Sequence, residues 1–473
     1  MQPDCKSRQI EFQGLKSRRV VGKFDAGRVS TDGGALLLRE LDARAGIVNR
    51  FAACFTDHRD ASRVEHAVEQ LVRQRVFGLC LGYEDVSDHD SLRNDPVLAT
   101  AVGQPDVLGE MRRRPADRGH ALAGKSTLNR LENAGKQMES GDNYKKIIAD
   151  DAALERFFIE EFIDAHKHQP MPRIVLDFDP TDIELHGKQE GRFFHGYYGH
   201  YCYLPMLVFC GDDLLMAKLR TADIDASKGT VEALDLIVPM LREQWPNAEI
   251  VLRGDSAFAR DYIMAWCEEN GVQYVIGLAR NDRLRKMVAD ELESVRTASE
   301  QSGKPERRYT DLAYSTLKSW SRLRRVVAKA EHIPGKSNPR FVVTSYTTAQ
   351  HAALPLYEDE YCARGEAENR IREHQQDLFG HQTSCSKMRA NQLRLWLSSL
   401  GYVLMNELRR VGLKGTELER SQARTIRLKL LKIGTLVTVS RRRIRLAFSS
   451  VHPLRSVFIR AFDAVAAMWM VPT

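Results

Sequence analysis

The sequence predicts an α/β protein built on a mixed sheet, preceded by a mainly helical N-terminal domain and followed by a basic C-terminal region. Three observations lead there. The first 165 residues are dominated by apolar residues at helical spacing. From Arg173 the pattern changes to short β-branched runs alternating with amphipathic helices. Residues 409–460 hold fourteen Lys or Arg against only Glu417 and Glu419, an imbalance that suits a polyanionic partner.

At 473 residues, with 43% hydrophobic and 28% charged residues, the chain has the composition of a soluble globular protein of about three domains. No apolar run reaches 18 residues, so no membrane span is expected. The opening MQPDCKSRQIEFQ lacks the apolar core of a signal peptide. Eight cysteines form no CxxC pair and sit mostly among apolar neighbours, which suggests reduced residues in a cytosolic protein. His195, His200, Cys202 and Cys210 fit no zinc spacing.

In residues 1–165, RRVVGKFD reads as a strand, and ALLLRELDARAG, DASRVEHAVEQLVRQRVFGLCLG, DSLRNDPVLATAVG and DNYKKIIADDAALERFFIEEFIDAHK read as helices. Residues 119–126, GHALAGKS, match the GxxxxGK[ST] phosphate loop. That loop requires a buried strand before it, whereas GEMRRRPADR is polar, basic and broken by Pro115. No nucleotide cofactor is therefore expected.

The sheet begins with RIVLDFD, a buried strand delivering Asp177 and Asp179 toward its carboxyl end. HYCYLPMLVFC and DLLMAKLR are two strands joined at Gly211-Asp212. KGTVEALDLIVPMLREQW is a helix with Pro239 as its flaw, and EIVLRGDSAF is a second strand ending in an acid, Asp255. RDYIMAWCEEN and VQYVIGLA, a helix and a strand, complete this unit. Residues 283–355 then carry alternating, basic strands and read as a small β-rich insertion.

A helix over residues 361–377, YCARGEAENRIREHQQD, brings the chain back to the core. On it Tyr361, Arg364, Glu368 and Gln375 fall within about a 60° arc. A further helix (MRANQLRLWLSSLGYVLMNELRRVG), a basic helix, a hairpin and a last helix close the chain.

Three carboxylates, two at strand ends and one on a helix, suit a pair of hard divalent cations. Two such ions about 4 Å apart activate a nucleophile and stabilise a leaving oxygen in phosphoryl transfer. Asp179, Asp255 and Glu368 are the expected ligands.

Tyr361, Arg364 and Glu368 stand at the spacing of the Tyr-x2-Arg-x3-Glu-x6-Lys signature, and the chain resembles the DDE transposases of bacterial insertion sequences. The wording DFDPTDIELHGKQEGRFFHGYYGHYCYLPM, LRGDSAFAR, YCARGEAENRI and MRANQLRLWLSSL resembles the insertion-sequence 1380 family. The resemblance implies a ribonuclease-H-like catalytic core at 166–282 and 356–410, the β-rich insertion at 283–355, and DNA-binding regions at 1–165 and 411–473, the last also a candidate for dimerisation. It implies Mg²⁺ or Mn²⁺, two ions, and double-stranded DNA bound as a homodimer: the element's inverted repeats and a target. A catalytically inactive, repurposed DNA-binding protein is the alternative.

The superfamily's Asp-x-Thr motif matches Asp179-Pro180-Thr181, which favours Asp179 over Asp177 as first ligand. The signature's Lys is Gln375 here, and Arg372, four residues after Glu368, is the candidate replacement cation. Tyr361 and Arg364 would hold DNA phosphates. Trp320 would stack a flipped base, burial in the core being its competing reading.

Overall fold

The computed structural model describes residues 9–137, 146–333 and 335–468. The chain forms two compact units, Met1–Ala149 with Leu400–Thr473, and Asp150–Ser399.

The second unit contains helix α1 (Asp151–His166), strands β1 (Arg173–Pro180), β2 (Met206–Cys210) and β3 (Asp213–Lys218), helix α2 (Thr230–Gln244), strand β4 (Glu249–Gly254), helix α3 (Asp261–Glu269) and strand β5 (Gln273–Leu278). Helix α4 (Ala289–Ser302), strands β6 (Glu306–Tyr314), β7 (Arg324–Ile333) and β8 (Arg340–Thr344), and helix α5 (Arg364–Arg372) follow. One nine-stranded sheet runs in the order β3-β2-β1-β4-β5-β8-β7-β6, with Lys336–Ser337 paired off its path to β7. The β1–β4 and β4–β5 pairs are parallel, and the remaining pairs are antiparallel.

The strands of residues 283–355 do not stand apart as a separate sheet. β8 pairs with β5, Val275 opposite Thr344, so these strands extend the central sheet. The physical reason lies in β5 and β8 themselves: both are apolar on both faces and call for a neighbour at each edge.

Alternation along β1 sorts the core from the site. Ile174, Leu176 and Phe178 are buried against α1, α2 and α3, including Phe162, Ile237 and Ile263. Val175, Asp177 and Asp179 face the other way, toward a smaller cluster of Val251, Val275, Val327, Val342, Tyr346, Leu356 and Tyr357. The segment before α5 packs on that second face.

The helix expected over 361–377 is shorter and wider-wound than its spacing implies. α5 spans nine residues and is flanked by π-helical turns at Leu356–Tyr361 and Glu373–Asp377. Each such turn takes an extra residue and is frequent at functional sites. Within the second turn, His374 is completely buried, bonded through Nε2 to Ser399 Oγ at 3.0 Å. Burial, aided by His381, holds its imidazole down at about 4, against 6.5 in an open chain. The unfolded chain thus binds a proton below pH 6.5 that the folded protein refuses until about pH 4. Stability should fall by about 3 kcal/mol across that window from this group alone. Urea titrations between pH 7 and 4 check it, with His374→Gln expected to flatten the dependence.

The first unit is mainly helical. Arg28–Ser30 pairs with Thr435–Ser440, which in turn pairs with Arg443–Phe448, so distant parts of the sequence share one three-stranded sheet. Helix Asp151–His166, grouped with the N-terminal helices by periodicity, packs in the other unit. No helix among the described residues is long and apolar enough to cross a membrane.

Candidate active site

Asp177 and Asp179 share a face of β1 but have different partners. Parallel register places Arg253 of β4 directly across from Asp177. The guanidinium donates to both carboxylate oxygens, Nε to Oδ1 at 2.5 Å and Nη2 to Oδ2 at 2.7 Å, and through Nη1 to the carbonyl of Glu360 at 2.7 Å. Burial raises the Asp177 carboxyl and the Arg253 bonds work against that rise. Both charges are spent on joining β1, β4 and the turn before α5.

Two residues further along β1, Asp179 is only partly covered and accepts from Arg364 Nη1 at 2.9 Å. The same guanidinium donates to Glu368, one helical turn on, through its other terminal nitrogen. Asp255 follows β4 and caps the short turn Ser256–Phe258, its Oδ1 accepting the Ala257 N–H at 2.9 Å. The Asp179 carboxyl is pushed up to about 7, chiefly by burial, with Arg364 pulling against the rise and Asp255 and Glu368 adding to it. Asp179 is therefore close enough to Asp255 and to Glu368 to be repelled by each, with the Arg364 guanidinium beside it.

Carboxylate oxygens are the hard ligands that Mg²⁺ takes, and concentrated positive charge stabilises crowded carboxylates. In the arrangement described, no three His, Cys, Asp or Glu side chains among the described residues converge on a metal position. The Arg364 guanidinium instead bridges Asp179 and Glu368.

The remaining expected residues are placed unequally. Tyr361 lies in the π-helical turn, its hydroxyl against the Gly277 backbone, and its phenol is raised by burial and by Asp255, against the pull of Arg364. Gln375 donates to Thr181 Oγ1 at 3.1 Å, which ties the helical segment to the end of β1. Arg372 is exposed and bonds Asn369 Oδ1 at 2.8 Å, with no recorded contact to the acids. Trp320 is only 8% exposed and lies in the main core. Its ring is edge-on to Tyr314, with Arg324 above it, and the structure does not bring it to the acids.

Sequence reading missed several neighbours. A cavity of about 580 Å³ opens beside Asp255 and Tyr361, and Arg280, Lys329 and Arg340 line it. The signal for Lys329 and Arg340 was the basic alternation of residues 324–340, which does not include Arg280. Tyr198, from the aromatic stretch before β2, lies close enough to Asp182, Asp179 and Asp255 that they add to the effect of burial, its phenol being pushed up to about 12.

Gly277 leaves no room for a side chain, since a Cβ there would come within 2.5 Å of the Tyr361 hydroxyl. Gly277→Ala should displace that phenol and slow any reaction at Asp255 by about a hundredfold. Single-turnover kinetics beside a thermal melt would separate this from unfolding.

The GHALAGKS segment has no strand leading into it, only a 3₁₀ turn at Pro115–Asp117 and irregular chain before helix Lys125–Glu132. A family model described as transposase DDE domain, group 1, matches residues 12–469. No curated protein matches the chain.

Proposed function

We propose that this protein, which belongs to the DDE transposases by a match over nearly its whole length, is a DNA transposase of the insertion-sequence 1380 type. It binds the terminal inverted repeats of its own element, cleaves the ends by phosphodiester hydrolysis and joins the freed 3′-hydroxyl to target DNA. The observation that supports this reading is the Arg364 guanidinium joining Asp179 at the end of β1 to Glu368 on α5, with Asp255 following the adjacent end of the parallel strand β4. The β3-β2-β1-β4-β5 order, with only the β1–β4 and β4–β5 pairs parallel, supports a ribonuclease-H-like core.

Asp179, Asp255 and Glu368 would hold two Mg²⁺ or Mn²⁺ ions, which supply activation of the attacking oxygen and charge stabilisation of the leaving one. Arg364 would then exchange its carboxylate partners for a DNA phosphate, with Tyr361 beside it. Arg280, Lys329 and Arg340 would carry the adjoining backbone into the cavity next to Asp255. Gln375 positions rather than neutralises, because it holds Thr181 and carries no charge. The two ends call for a homodimer on DNA, in the bacterial cytoplasm at the nucleoid.

The Arg364 bridge also favours a second reading, a transposase-derived DNA-binding protein without catalysis. One assay decides: incubation of the protein with duplexes carrying the inverted repeats that flank its gene, with Mg²⁺, Mn²⁺ or a chelator. Metal-dependent cleavage and joining are expected, and repeat binding without either would leave only the second reading.

A further inference from the structure

The first unit contains a cavity of about 860 Å³ that the catalytic reading does not use. Among the described residues, nine Lys or Arg and four Asp or Glu line it, and no Phe, Tyr or Trp does. Its floor is built. Arg112, 9% exposed, donates to the His120 carbonyl at 2.7 Å, to the Ala121 carbonyl and to His66 Nε2 at 3.1 Å. His66 is held down at about 4 by burial and then by Arg112 and Arg59, so its ring is a neutral acceptor inside a cationic field.

The rim is the open part. Arg63, Arg113 and Arg114 are exposed on it. Arg63 pairs only loosely with Asp60 at 3.3 Å, and among the described residues Arg113 and Arg114 make no salt bridge. The start of helix Lys125–Glu132 is already taken: Asp90 accepts the Lys125 N–H at 3.0 Å and pairs with its Nζ at 3.2 Å. A nucleotide phosphate seated there would meet a carboxylate.

We propose that this rim seats the phosphate backbone of duplex DNA, away from the acids, and reads no sequence. Small-molecule sites are walled mostly by apolar and aromatic groups, and single strands are gripped by stacking on aromatic rings. Among the described lining residues only Val64, Leu122 and Ala123 are apolar, and none is a Phe, Tyr or Trp. Exposed guanidinium groups on a rim, here Arg63 loosely paired with Asp60, Arg113 bonded to the Ser62 carbonyl at 2.5 Å, and Arg114, are instead what backbone phosphates recruit, releasing counterions as they bind. The inference rests on the reading that DNA is this protein's substrate, and it adds a seat that sets position on the duplex.

The test uses the full chain made inactive by Asp255→Asn, alone and with Arg63→Ala, Arg113→Ala and Arg114→Ala together. Binding is measured on 30-base-pair duplexes of repeat and scrambled sequence over a salt series. Affinity should fall at least tenfold on both duplexes, and the slope of log K against log salt should flatten by about two to three. The three Arg→Lys changes should restore most of the affinity, which rules out a folding defect. Unchanged affinity and slope, a loss confined to the repeat duplex, or stronger competition by single strands than by duplex each overturns the proposal. Cleavage by the chain with Asp255 intact is read in parallel. Binding lost as expected without any cleavage defeats only the catalytic reading, and cleavage with undiminished binding by the triple variant defeats only this one.

Discussion

Asp255→Asn and Glu368→Gln should each lose metal-dependent strand cleavage almost completely, while the protein stays folded. Both changes keep shape and remove the charge that would hold a divalent ion. Glu368 has a side chain 57% exposed, paired with Arg364 alone among its recorded contacts, and an Asn at 255 can still accept the Ala257 N–H. Stability should therefore move by no more than about 0.5 kcal/mol. Activity should drop well beyond the roughly hundredfold that even an outer partner of a metal ligand typically costs. Groups that act as one unit are not additive, so the double variant should be no slower than the worse single one. Cleavage at the parent rate by either variant would remove that residue from the site.

Asp177→Ala should do the reverse, costing fold first. Its side chain is 4% exposed and that of Arg253 10%. Removing one member leaves a buried charge without its counterion, worth about 3–5 kcal/mol. Chemical denaturation should report that loss as a lower midpoint at unchanged slope. Arg253→Met combined with Asp177→Leu should recover much of it, since an apolar pair of similar volume tolerates burial where a lone charge does not. A variant at 177 that kept full stability yet lost cleavage would make Asp177 the metal ligand and return Asp179 to a supporting part.

Much of this arrangement was legible because strands and helices impose fixed periods. The run RIVLDFD announces a buried strand, and alternation alone places residues 177 and 179 on one face. What alternation does not contain is the neighbour. Arg253 lies across from Asp177 only through the parallel register of β1 and β4, a pairing of residues 76 apart. The same limit applies to β8, whose sequence gives a strand but no hint that β5 is its partner. On α5 the spacing of Arg364 and Glu368 translates directly into a shared guanidinium. Tyr361 and Gln375 escape the simple period because π-helical turns flank that helix. Trp320 was ambiguous for another reason, since an indole suits both a base and a core, and local sequence does not say which surface covers it.

The three-stranded sheet of the first unit bears on the order in which a growing chain acquires structure. Strand Arg28–Ser30 leaves the ribosome early, but its neighbour Thr435–Ser440 is synthesised some four hundred residues later. At synthesis rates of about 5–20 residues per second, the early strand waits at least tens of seconds for that pairing. The segment Asp150–Ser399 is continuous and has all its own strands in hand well before then. The acids would thus be assembled before the first unit has its full three-stranded sheet, although the residues that line its basic cavity, Arg59 to Lys146, are synthesised earlier still, so an unfinished chain would carry the chemistry on an incomplete first unit.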